Sequence, residues 1–583
     1  MRSLRGPIPI LETGEWMRDC EKAALQDQGY GITLSLWRIT RMFIPPNTLN
    51  ADSSRVSGWR VVPPVLLLAT ALILAAPARA QNGIQFKKWK PSLNEGAATK
   101  AKLDCSSLVS LTGYEFSIET AALIPAAGDV PEFCHITGQI LPEVRFELSL
   151  PTSWNSRFYM FGNGGYAGES LSSAPRVNTR NTALKQGFAV AQTNTGHDGA
   201  IEPLGSFALS RQKLLDYAWR AVHITAETSK RIIRTYYGNV PGRSYFDGCS
   251  TGGRQGLMSA QRFPDDFDGI VVGAPVLDFA GTMTNYVSIA RALDAAPIPP
   301  EKLKIIADRV YAKCDRLDGL ADGLIDDPRR CEFDPHKDLP ICSNDVDGKD
   351  CFTAGQIRTL ETIYRGAESG GKRIFFGQPV GAEIDMPAGN QARSGWSGWI
   401  IAPGGRTISS SFAETFYRYM AFDKPNPSYD LKSLNLESDL GRLQAISGIL
   451  DAKNPDLSRF KSRGSKMIMY FGWADTALNP LMGIDYYERV TARAGQSTTD
   501  FFRLFMVPGM AHCRGGVGTD EFDAFTALVE WTEKGVPPNQ LLAEQSRDGK
   551  VVRTRPLCPY PQIAKYNGTG NPDDAQSFVC VKP

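Results

Sequence analysis

Between residues 136 and 275 short apolar runs alternate with stretches whose apolar residues recur at helical spacing. Residues 157–161, 187–191, 244–247 and 269–273 read as short buried strands, and 213–237 and 256–263 carry helical periodicity. Alternation of this kind predicts an α/β fold on a largely parallel sheet. The pattern breaks after Pro275. Over 276–464 the chain reads as irregular, cysteine-containing and rich in aromatics, among them Trp396, Trp399, Phe412, Phe416, Tyr417 and Tyr419. Buried strands return at 466–471 and 501–507. The organisation expected is therefore a core in two parts, 81–275 and 465–583, with 276–464 inserted between them as a lid. No internal repeat interrupts this plan.

The first 80 residues stand apart. An apolar run at 65–76 follows Arg55 and Arg60 and leads to Ala78-Arg79-Ala80, the pattern of a secretory signal peptide and its cleavage site. Its distance from residue 1 makes Met42 the expected initiator and 1–41 an upstream over-extension. Removing 1–80 takes away nine basic and six acidic residues and turns a net charge of +2 into −1. A near-neutral chain without a basic stripe excludes nucleic acid as a partner, and no later apolar stretch is long enough to span a bilayer. The expected location is secreted or periplasmic.

Cysteine usage agrees with export. Ten of the eleven cysteines lie beyond residue 80. An even number in an oxidising compartment suggests five disulfides. Connectivity is open from sequence, although proximity suggests 105–134, 314–331, 342–351 and 558–580, leaving Cys249 and Cys513. With no C-x-x-C and only five histidines, a zinc–thiolate site is disfavoured.

The remaining two cysteines each adjoin a residue suited to acyl chemistry. Gly248-Cys249-Ser250-Thr251-Gly252 fits G-x-S-x-G between an expected strand and an expected helix, the setting of a nucleophile elbow. His512-Cys513 ends a late strand and turn, and a Cys249–Cys513 bond would bring this histidine to the serine. His135, His197, His223 and His336 lack such a setting and read as structural. Asp475 ends the first strand after the insertion, where it can orient the imidazole. Its competing reading is an N-cap for a helix over 476–481. The order Ser250, Asp475, His512 is that of α/β-hydrolases. The oxyanion hole would use the backbone N–H of Thr251 and one from the glycine loop 162–165, with Gly164 and Gly165 as candidates.

Within the insertion, residues 314–327 set aspartates between turn glycines. Hard oxygen ligands in a flexible loop suit Ca²⁺, although the spacing is not that of an EF-hand. A surface loop of Asx-turns is the alternative.

Cys249-Ser250, Asp475 and His512-Cys513 together resemble the CS-D-HC motif of the tannase/feruloyl esterase family. The resemblance extends over nearly the whole chain after residue 80, including 162–168, Thr195-Gly196-His197-Asp198-Gly199 and the insertion. It implies a secreted serine esterase of α/β-hydrolase fold, acting on esters of hydroxylated aromatic acids, with a lid that shapes the pocket. Ser250 would be nucleophile, His512 base and Asp475 orienting acid, with a Cys249–Cys513 disulfide holding them together. It also implies a structural calcium ion, held by the carboxylates of Asp315, Asp318 and Asp322 and the carbonyls of Leu320 and Leu324. No organic cofactor is implied.

The substrate class expected is a small aromatic ester, including one released from a plant polymer. The family divides among feruloyl esters, gallate esters and the mono-hydroxyethyl ester of terephthalate. The last would need a cation for its free carboxylate, and Arg393 and Arg418 are candidates. Two rivals differ in class: a serine peptidase or general carboxylesterase, and a non-catalytic, calcium-stabilised binding protein.

Overall fold

A computed structural model describes residues 98–583 apart from 384–385 and 389–390, and the side chains of 384–394 are likewise outside it. The expected signal peptide, Met42 and residues 1–80 as a whole lie outside the described residues.

The described chain is built on a nine-stranded sheet. Its strands are β1 (Phe116–Ile124), β2 (Phe133–Ile140), β3 (Val144–Pro151), β4 (Arg157–Phe161), β5 (Ala189–Thr193), β6 (Arg243–Cys249), β7 (Gly269–Gly273), β8 (Lys466–Gly472) and β9 (Phe502–Val507). They lie in the order β1-β2-β3-β5-β4-β6-β7-β8-β9. From β5 to β9 every pairing is parallel, whereas β1, β2 and β3 add an antiparallel wing through the β3–β5 pairing. The expectation of a largely parallel sheet thus holds for the part that carries the motifs. Strands β5 and β7 are buried throughout, and β6 and β8 at every position after the first. Such strands read as continuous apolar runs because helices cover both faces. The wing connects through short loops and was not foreseen as antiparallel.

Helix Thr251–Arg262 follows β6 directly, beginning at the residue after the candidate nucleophile. The buried guanidinium of Arg254 fastens it to its surroundings, donating to the carbonyls of Ala218 (2.8 Å), Tyr217 (3.2 Å) and Leu450 (3.3 Å). Tyr217 and Ala218 belong to a π-helical turn, Asp216–Arg220, at the entry to helix Ala221–Tyr237. A π turn frees carbonyls from the α-helical ladder, and here they are satisfied by a buried cation.

The insertion is more regular than its sequence suggests. It contains helices Phe279–Ala295, Leu303–Cys314, Ala354–Arg365 and Ile408–Tyr419. Short polar connections and disulfides between them obscure the periodicity. Part of it (Phe279, Met283, Phe416, Tyr417) belongs to the same apolar cluster as the sheet residues, while Ile306, Val310, Leu360, Ile363 and Trp396 form a second one. All five disulfides are present: Cys105–Cys134, Cys249–Cys513, Cys314–Cys331, Cys342–Cys351 and Cys558–Cys580. Four close loops of 9 to 29 residues, and one spans 264. Among the described residues no helix is long and apolar enough to cross a membrane.

Candidate active site

Ser250 sits where β6 turns into helix Thr251–Arg262, with φ +65° and ψ −122°. A side chain held at positive φ is strained, and the surroundings over-determine it. The Ser250 N–H donates to Gly273 O at 2.9 Å, and its carbonyl accepts from Arg254 N at 3.0 Å. The turn leaves no room for a side chain at Gly248, where a Cβ would stand 2.6 Å from the Gly252 carbonyl carbon, and a Cβ on Gly252 would press on Gly162 and Asn163 at 3.2–3.3 Å. This is the physical content of the two glycines in the motif.

His512 and Asp475 come from the ends of neighbouring strands. β8 leads to Asp475 and β9 to the turn carrying His512, and Ala474 N donates to Met510 O at 3.0 Å between them. His512 Nδ1 stands 2.8 Å from Asp475 Oδ2, with both residues buried. The other carboxylate oxygen, Oδ1, accepts the N–H groups of Ala477 (3.0 Å) and Leu478 (2.8 Å). Asp475 therefore both orients the imidazole and caps the turn after it. The helix itself begins later than expected, at Leu481. The Cys249–Cys513 bond joins the two arms with a Cα–Cα distance of 6.1 Å, and Cys513 Sγ lies 3.8 Å from His512 Nε2. Ser250 and His512 are thus the immediate neighbours of one covalent link. The described contacts include no Ser250 Oγ–His512 Nε2 hydrogen bond, a contact that commonly closes only when substrate binds.

The glycine loop 162–165 lies beside the start of helix Thr251–Arg262. Gly165 O accepts from Thr251 Oγ1 and, at 3.1 Å, from Tyr217 OH. The two candidate glycines differ. Gly164 N–H is already donated to Glu169 Oε1 at 3.2 Å, whereas Gly165 N–H has no protein acceptor among the described residues. Gly165, with φ +51°, is the better partner for Thr251 N–H. Glu169, Tyr217 and Gln255, which support this loop, were missed in the sequence. A carboxylate four residues after a double glycine is the one local signal that points to the first.

The insertion reaches the candidate triad through Trp399, whose half-buried ring stands edge-on to His512 with centroids 6.1 Å apart. Trp399 also stacks on Phe412 at 6.3 Å, and Phe412 meets the Tyr166 ring at 4.9 Å. Trp396, Phe416 and Tyr417 are core residues, as most aromatics of such a segment must be. Arg418 is engaged by Glu414 at 2.8 Å, and Arg393 lies outside the described side chains. The other histidines stay in structural surroundings. His197, for example, stacks on Phe207 at 3.9 Å, and burial lowers its pKa to about 4.

The acidic loop brings together donors of the right chemistry. Among the described residues no three acidic, histidine or cysteine side chains stand ready to hold an ion as arranged. Asp315, Asp318 and Asp322 instead cap loop N–H groups of Gly323, Leu320 and Leu324. Arg555 Nη2 lies 2.5 Å from Asp322 Oδ2. A fourth carboxyl, Asp326, joins them; burial and the charges of Asp318 and Asp322 push its pKa up to about 8. Four carboxyls in a loop closed by Cys314–Cys331, with Arg555 paired to Asp322, suit a hard divalent cation in donor type.

Comparison with known proteins bears on the whole arrangement. Residues 128–581 match the family model "Tannase and feruloyl esterase". An uncharacterized esterase of Xanthomonas campestris is 34% identical over 82% of this chain and 92% of its own length. The mono(2-hydroxyethyl) terephthalate hydrolase of Piscinibacter sakaiensis is 32% identical, covering 84% of this chain and 91% of its own. The crystal structure of feruloyl esterase B from Aspergillus oryzae superposes with a TM-score of 0.71 at 26% identity, covering 82% of this chain and 99% of that one.

Proposed function

The chain belongs to the tannase and feruloyl esterase family, and on that premise we propose that it hydrolyses esters of hydroxycinnamic or gallic acids through an acyl-enzyme on Ser250. The observation that carries the reading is the buried His512–Asp475 pair at 2.8 Å, stapled by Cys249–Cys513 beside a strained serine. His512 Nε2 takes the Ser250 proton as Oγ attacks the ester carbonyl. The N–H groups of Thr251 and Gly165 receive the negative oxygen of the tetrahedral intermediate. His512 then protonates the departing alcohol, and a water activated by the same imidazole releases the acid. Trp399 and Phe412 offer a planar acyl group an aromatic wall beside the imidazole.

Arg418, one of the two candidate cations for an acyl carboxylate, is already paired with Glu414. The Piscinibacter relative supports the second reading, a terephthalate monoester. Turnover of methyl ferulate, methyl gallate and mono-(2-hydroxyethyl) terephthalate, with Ser250→Ala as blank, decides between them. The expected result is at least about a tenfold higher kcat/KM for one of the two phenolic esters. Preference for the terephthalate ester would instead require an anion-binding acyl pocket.

The five disulfides support export to an oxidising compartment. Calcium is proposed as a structural ion, held by Asp315, Asp318 and Asp322 with the Leu320 and Leu324 carbonyls, and with Asp326 close by. Bound there, it would neutralise the carboxylates and fix the loop. Stripping with a chelator should lower Tm by a few degrees, reversibly on adding Ca²⁺, with little change in kcat at 25 °C. A Tm indifferent to calcium would leave Arg555 as the counter-charge to Asp322.

A further inference from the structure

We propose that Glu169 and Arg176, which do not touch the reacting atoms, are positioning residues that set the oxyanion loop in register with Ser250. The inference rests on the assignment of Thr251 and Gly165 as the oxyanion donors.

Three of the four residues in loop 162–165 are glycines, without side chains to fix their own peptide planes; Ala167 N–H holds Gly164 O locally at 2.8 Å, and the peptides before it are held from outside. Glu169 does this on one side. Its Oε1 accepts Gly164 N–H at 3.2 Å, and its Oε2 accepts Asn163 Nδ2 at 2.9 Å. Arg176, fully buried in the first turn of helix Ala174–Lys185, binds Glu169 Oε2 at 2.6 Å. The same guanidinium donates to Gly162 O at 3.2 Å and to Gln192 Oε1 at 2.6 Å. The opposite side is held by the nucleophile helix: Gln255 Oε1 accepts Asn163 N–H at 3.0 Å, and Gln255 Nε2 donates to Asn163 Oδ1 at 3.2 Å. Beyond the loop, Thr251 Oγ1 and Tyr217 OH fix the Gly165 carbonyl. The peptide that presents Gly165 N–H is therefore clamped before and after.

A carboxylate at 169 is what this arrangement needs. Three donors converge on its two oxygens, so an amide would turn one donor group against another. An ion pair with one member buried and the other half-buried adds little to stability against an apolar replacement, and here its members bond largely to the backbone and Asn163 side chain of one loop. Catalysis by an oxyanion hole depends on donors aligned in advance, which gives this arrangement a purpose.

The test compares the full chain with Glu169→Gln and Glu169→Asp for kcat, KM and inhibition by phenylboronic acid. The boronate adduct on Ser250 Oγ places an oxygen in the hole. End-point labelling of Ser250 by a fluorophosphonate counts folded sites. For Glu169→Gln, kcat per labelled site should fall roughly tenfold to a hundredfold, with boronate affinity weakened in step and KM nearly constant. Glu169→Asp, with the charge on a shorter arm, should recover part of the loss, and it carries the test if the glutamine variant fails to fold. Unchanged kcat and boronate affinity per labelled site would overturn the proposal, even if stability fell. A crystal structure of the unaltered chain's adduct separates this failure from that of its premise. An oxygen on Thr251 N and Gly165 N keeps the hole whatever Glu169 does, and an oxygen elsewhere removes both.

Discussion

Exchanging Asp475 for asparagine will lower kcat by roughly four orders of magnitude and leave the protein folded. The reason lies in how the two carboxylate oxygens are used. Oδ1 faces the N–H groups of Ala477 and Leu478 at 3.0 and 2.8 Å, while Oδ2 faces His512 Nδ1 at 2.8 Å. An asparagine must keep its carbonyl oxygen toward the two N–H groups, because the reverse orientation would set donors against donors. Its NH₂ group then points at His512 Nδ1, which is forced to accept. The imidazole proton moves to Nε2, and a protonated Nε2 cannot take the proton of Ser250. Shape and capping are conserved, so Tm should change by only a few degrees. The rate of fluorophosphonate labelling should fall in parallel with kcat, since both need an activated serine. Asp475→Ala supplies the contrast. It also leaves two buried N–H groups without an acceptor, at a cost of about 1–3 kcal/mol each. A loss of less than tenfold in the asparagine variant would remove Asp475 from the triad.

Asp475 also shows why the sequence could be read only so far. An aspartate at a strand end suggests either a cap or a triad acid, and one carboxylate oxygen meets the N–H groups of the turn while the other meets the imidazole. The elbow was legible because its glycines answer to local sterics within five residues. Proximity along the chain suggested the four short-range disulfide pairs, although spacing alone left their connectivity open. Glu169 and Arg176 were not legible: they bond to groups nearby in sequence, but these include backbone groups of a loop whose path the sequence does not specify. Gln255 was not, because it meets Asn163 across 92 residues. The same holds for Arg555, which meets Asp322 across 233 residues. The antiparallel wing and the insertion's helices escaped for another reason. Their apolar faces pack on a sheet or on one another in ways that short, interrupted periodicity does not specify.

Replacing Cys249 and Cys513 together with alanine should cost roughly a hundredfold or more in kcat/KM while the nine-stranded sheet persists. The double exchange is the cleaner experiment, since a single one leaves a reactive thiol beside the histidine. Two effects must be separated. Closing a loop of 264 residues constrains the unfolded chain, by roughly 5–6 kcal/mol in the chain-entropy model, so Tm will fall. Activity measured far below that Tm reports the second effect. Cys513 is held at φ +62°, an unfavourable conformation for a residue with a side chain, and its sulfur packs 3.8 Å from His512 Nε2. Without the bond this residue can relax and the imidazole loses the sulfur that limits its rotation. The Asp475 hydrogen bond alone fixes one ring nitrogen and leaves the other free to swing away from Ser250. A displacement of about 1 Å there is enough for the predicted loss. Full turnover at 20 °C with a lowered Tm would confine the bond to the stability of the chain; a folded but slow variant places it in the geometry of the reaction.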